Sequence, residues 1–142
     1  MKPLPKNSKK RGTKPYCTDG NLNPGETLLN HLTSKILRSK FPASPDRSLA
    51  EWLGIMAGDQ KASVEELGAK IGLALQENTT SWLLATAAAL YWRVLGNAEE
   101  AIVCLRLALS HVPDDMKDVP LISLANVLQR LFMFWVLLVA DL

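Results

Sequence analysis

Few side chains in this chain could do chemistry. His31 and His111 could exchange a proton near neutral pH, Cys17 and Cys104 could serve as nucleophiles or ligands, and Asn78-Thr79-Thr80 fits an N-glycosylation acceptor. Catalysis needs a constellation, and none is present: both histidines are isolated, no nucleophile has a base at a motif spacing, and no glycine-rich phosphate loop follows a strand pattern. The two cysteines give neither a metal-ligand spacing nor a disulfide framework. The chain is therefore expected to be non-catalytic, with no catalytic, cofactor-binding or metal residue and no cofactor. Its thiols are expected to stay reduced. The N-terminal stretch is rich in Lys, Pro and Gly instead of apolar residues, so a cytoplasmic location is expected, and Asn78-Thr79-Thr80 is read as ending one helix and capping the next. His31 is expected as a partly exposed helix residue. His111 is expected near a helix C-terminus, where positive charge is favourable.

The remaining polar groups are suited to binding, provided helices bring them together. Stacked helices would line a concave groove with Thr86, Leu90, Arg93 and Val94 from one helix and Ile122, Asn126, Gln129 and Arg130 from another. There Arg93 and Arg130 would pair with a peptide carboxylate and Asn126 would hydrogen-bond its backbone. The bland alternative is a set of solvated polar positions.

The elements that must position these groups follow from composition and periodicity. With 142 residues and 48% apolar content, the chain can bury one core. The net charge of +2 conceals six basic residues and no acid in the first fifteen positions, leaving a mildly acidic remainder. Nucleic acid is thus not an expected partner. Residues 1–24, with four prolines and two glycines, carry too little apolar surface to offset ordering and are expected as a disordered basic leader. Residues 25–60 are expected to hold two helices, one marked by Leu28, Leu29, Leu32, Ile36 and Leu37, the other by Leu49, Trp52, Leu53 and Met56. Ser63-Val64-Glu65-Glu66 is a capping box opening a third. Further helices are expected from about Ser81 to Leu95, from Ala98 to about His111, and from near Asp118. No segment alternates with period two, so the fold class is all-α.

A repeat runs through the middle. Ala85, Ala88, Ala89 and Trp92, followed by Ala101, Leu105, Ala108 and Pro113, have the spacing of a 34-residue helical hairpin in which alanines let two helices approach and the bulky residues fill the space between them. Leu121, Leu124, Ala125 and Leu128 restart that spacing 36 residues on. The chain then reads LFMFWVLLVADL over residues 131–142, without the turn and small-residue face of a second helix.

The stretch from Glu51 to Arg130, with EWLGIMAGDQ, AALYWRVLGNAEEAIVCLRLAL and MKDVPLISLANVL, resembles the tetratricopeptide repeat family over a little over half the chain. The resemblance implies an α-α solenoid fragment, with its repeat region at 61–130, acting as a protein-interaction scaffold. It also implies a link to actin polymerisation and primary cilium formation, actin-regulatory or ciliary protein partners, and a place in the cytoplasm, at the cell membrane and with the cytoskeleton. Family members that clamp a peptide carboxylate carry a lysine one turn before the groove asparagine, and Ile122 stands there, so a chaperone-tail clamp is not implied. The departure after Arg130 implies a truncated or alternatively spliced form. Two alternatives accompany the scaffold: a regulatory or non-functional fragment, and a form held at a membrane by the apolar tail, whose ten residues from Leu131 to Ala140 are about half of what a hydrocarbon core requires.

Overall fold

The computed structural model describes residues 14–17 and 47–140, and among these every regular element is helical. The order is α1 (Ser48–Met56), α2 (Val64–Glu77), α3 (Trp82–Leu95), α4 (Ala98–His111), a short 3-10 turn (Asp114–Met116) and α5 (Asp118–Ala140). The helix expected from Gly25 to Leu37 lies outside the described residues.

The helix boundaries are set by local hydrogen bonding. Gly58 takes φ +71° after α1, and the Asp59 carboxylate accepts from the backbone amides of Lys61 and Ala62 while pairing with Lys70 at 3.1 Å. That lashes the α1–α2 turn to the body of α2. Ser63 Oγ accepts from the Glu66 amide at 3.2 Å and Ser81 Oγ from the Leu84 amide at 3.3 Å, each satisfying a donor that the first turn leaves without an intrahelical partner. Between α3 and α4, Gly96 adopts φ +79°, its amide donates to Arg93 O, and the Asn97 amide donates to Trp92 O. This left-handed cap turns the chain within two residues. Asn97 then begins α4, its side chain accepting from the Glu100 amide.

The core is centred on the α3–α4 hairpin. Ala85, Ala88, Ala89, Ala101 and Ala108 have no exposed surface, and Trp92, Ile102 and Leu105 fill the space around them. Burying an indole such as Trp92 contributes up to about 4–6 kcal/mol of hydrophobic stabilisation. Leu53 of α1 and Leu67, Ile71 and Leu75 of α2 join the same cluster. At Gly68 a Cβ would lie under 3.0 Å from three carbons of the Tyr91 ring, so the missing side chain is what lets α2 approach α3.

Two expectations are corrected here. Lys14–Cys17, assigned to the disordered leader, are packed onto the core: Pro15 and Cys17 are buried, and Trp92 Nε1 donates to Pro15 O at 3.0 Å. The reduced thiols are replaced by a Cys17–Cys104 disulfide, with Cα atoms 5.1 Å apart across 87 positions of sequence. A framework sought in repeated cysteine spacings misses a single long-range pair, which only the fold brings together.

Candidate functional site

α5 is a single helix from Asp118 to Ala140, with no turn where the repeat pattern asks for one. Its first half docks on the hairpin through Pro120, Ser123, Leu124 and Val127, and Leu131 extends that contact. The opposite face carries Leu121, Ile122, Ala125, Asn126, Gln129, Phe132, Met133 and Val136, all exposed, at the spacing of one helical stripe. The repeat spacing assigns Leu121, Ala125 and Leu128 to interhelical packing along with Leu124. Leu124 is buried, Leu128 is half-buried, and Leu121 and Ala125 face outward. The physical reason is the absence of a turn: the helix runs straight on, so among the described residues no second helix lies opposite Leu121 and Ala125.

The expected groove residues divide in the same way. Ile122, Asn126 and Gln129 are exposed and Arg130 is half-buried on α5, so these four share an accessible surface. On α3, Leu90 is half-buried, whereas Thr86, Arg93 and Val94 are buried and form no open wall. Thr86 Oγ1 donates to Trp82 O, one turn back. Arg93 Nη1 donates to Ser123 Oγ at 3.0 Å, so the guanidinium expected to meet a peptide carboxylate instead ties α3 to α5. Pro113 is exposed, following α4 and leading into the 3-10 turn. His111 ends α4, with Nδ1 within 2.8 Å of Ser110 Oγ and 3.3 Å of Leu107 O.

A second feature escaped the reading of the residues. Tyr16 lies over Trp92 with ring centroids 4.9 Å apart, Lys14 Nζ sits 6.0 Å from the Trp92 ring centroid, and the disulfide anchors the end of this short strap to the middle of α4. Beside it a cavity of about 180 Å³ is lined by Lys14, Tyr16, Gly72, Leu75, Gln76, Thr79 and Leu107. The available signal was an aromatic residue and a cysteine side by side within a run otherwise dominated by Lys, Pro and Gly. Burial raises the Tyr91 hydroxyl above its ordinary pKa, with Glu65 and Tyr16 adding to the effect. Among the described residues, no helix is long and apolar enough to cross a membrane.

An alanine-lined hairpin with a left-handed glycine turn, followed by the first helix of another repeat, is the geometry of a tetratricopeptide array. Comparison with known proteins agrees. The chain is 44% identical over 118 residues to tetratricopeptide repeat protein 17 of Homo sapiens, equally so to that of Mus musculus, and 42% identical to that of Danio rerio. It is a homologue of part of that protein. The match takes in 82% of this chain but about a tenth of each relative's length. At 118 residues it is longer than the Glu51–Arg130 stretch that carried the family resemblance. No family model and no solved structure matches the chain.

Proposed function

We propose that this segment is a protein-binding scaffold whose contact surface is the exposed stripe of α5. One observation carries the reading: Leu121, Ile122, Phe132, Met133 and Val136 expose apolar side chains along one helix face, interleaved with Asn126 and Gln129 and bordered by Arg130. A contiguous apolar surface edged by polar groups is suited to a partner helix, the apolar residues supplying burial and the amides fixing register. The homology to tetratricopeptide repeat protein 17 supports a scaffold role in general.

The test is co-purification of defined partners with the wild-type chain and with the double variant Ile122→Lys/Asn126→Ala. Partners retained by the wild type and lost by the variant, with thermal unfolding unchanged, support the reading; partners retained equally by both overturn it. The resemblance also implies actin-regulatory or ciliary partners, and under that narrower reading purified actin would co-sediment with the chain or its polymerisation rate would respond to it. Inert behaviour in both assays removes direct actin binding while leaving the scaffold intact.

A further inference from the structure

We infer that Asn78 is an N-glycosylation site and that this segment folds in an oxidising, glycan-transferring compartment. The motif Asn78-Thr79-Thr80 reads from sequence as a helix end and cap, but the structure distributes those tasks to other groups. The C-terminus of α2 is closed by the backbone amide of Asn78, which donates to Ala74 O at 2.9 Å, and α3 is capped by Ser81 Oγ. Among the hydrogen bonds of the described residues, none engages the Asn78 carboxamide. Asn78, Thr79 and Thr80 are all exposed, in the short connection between α2 and α3. A transferase therefore meets an accessible acceptor, and a glycan there displaces no core side chain.

The second observation is independent of the motif. Cys17 and Cys104 are both buried and joined in a disulfide, and Pro15 O caps the Trp92 indole beside it. Disulfides of this structural kind form and persist in the oxidising compartments of the secretory route, where asparagine-linked glycans are also attached, whereas cytosolic thiols are kept reduced. The pair forms by exchange with a donor disulfide: two thiols lose two electrons and two protons, and the donor is reduced to a dithiol. For the glycan, the co-reactant is an oligosaccharide linked through a diphosphate to a polyprenyl lipid. The Asn78 amide nitrogen attacks the anomeric carbon of the first sugar. The carbon–oxygen bond to the diphosphate breaks as the nitrogen–carbon bond forms, the polyprenyl diphosphate leaves with the electron pair, and the amide gives up one proton. Thr80 supplies the hydroxyl that the transferase requires two residues after the asparagine.

The experiment isolates the natural protein from its own cells under non-reducing conditions, with free thiols blocked at lysis. It is digested, and peptides are compared with and without peptide-N-glycosidase in heavy-oxygen water. The expected result is a peptide spanning Asn78 that appears only after the glycosidase, with that asparagine converted to an aspartate carrying heavy oxygen, together with a Cys17–Cys104 linked peptide. Asn78→Gln and Thr80→Ala should each abolish the glycosidase-sensitive mobility shift, while Thr79→Ala keeps it. An unmodified Asn78 peptide in full yield overturns the site. Blocked Cys17 and Cys104 thiols overturn the compartment. Neither readout depends on partner binding, so the scaffold reading stands or falls separately.

Discussion

The α3–α4 hairpin and α5 derive from the same repeat spacing but have different surroundings. In the hairpin each helix has the other against it, α1 and α2 cover α3, and the strap lies across Trp92, so the signature alanines have no exposed surface. In α5 the same spacing places Leu121 and Ala125 on an open face, because the helix continues unbroken to Ala140 and no described helix lies against that face. A repeat motif thus specifies a contact surface, and burial depends on whether a neighbour covers it. If so, mutational sensitivity should be concentrated in the hairpin and low on the open face of α5.

The largest effect is expected at Ala89. Replacing this fully buried alanine by tryptophan forces an indole into the closest helix contact, at about 3 kcal/mol or more, the upper end of overpacking costs. Circular dichroism melts of Ala89→Trp should lose the cooperative transition. An unchanged melt would break the assignment of the hairpin.

Opening the Cys17–Cys104 bridge comes next. It closes a separation of 87 positions and holds the strap over Trp92, so the Cys17→Ser variant should be less stable by about 2–4 kcal/mol in urea unfolding. Tryptophan fluorescence should also report a wetter Trp92. Equal midpoints with and without reductant would show that the strap lies on the hairpin without supporting it. Gly68→Ala is expected to cost about 1–3 kcal/mol, since the added methyl must displace the rigid Tyr91 ring. A melt no lower than wild type would mean that α2 can shift away from α3 without loss.

A smaller effect is expected from acid, and it lies in the α1–α2 turn outside both regions. The hydrogen bond and charge of Lys70, with help from the Lys61 and Ala62 amides, hold the Asp59 carboxyl below its ordinary value of 3.8. A folded-state pKa below the unfolded one gives stability that is present above the unfolded value and lost as pH falls through the folded one. Asp59→Asn should therefore flatten the decline in stability below about pH 4, an exposed pair contributing little. A decline as steep as in wild type would assign acid sensitivity to other carboxylates.

How legible each region was in the sequence follows the same division. The hairpin was legible in outline, because the alanine spacing and the Gly96-Asn97 turn are local signals that agree with the packing, whereas the cap of α3, read at Asn78-Thr79-Thr80, falls to Ser81. The orientation of α5 was not, because residues 121–128 carry the repeat spacing while the helix they belong to continues to Ala140. Arg93 was misassigned for a related reason. Position on a helix says which face a guanidinium leaves from, but Ser123, thirty residues on, decides whether it meets solvent or a neighbouring helix. The disulfide is the extreme case, a pairing that depends wholly on a strap docking far from its place in sequence.

The smallest expected change gives the sharpest comparison. Leu121→Lys and Phe132→Lys each replace an exposed apolar side chain on α5, so each should alter stability by no more than about 0.5 kcal/mol, the ordinary range for surface positions. Both should raise solubility, because each interrupts the apolar stripe with a charge. The control is Leu124→Ala on the covered face of the same helix, where about 2–5 kcal/mol is expected from the lost contacts and the cavity left behind. A large loss at Leu121 would mean that this face is covered in solution, by a second copy of the chain or by another segment of the same one. Sedimentation velocity of the same variants would distinguish those two coverings, since only the first changes mass when it is disrupted.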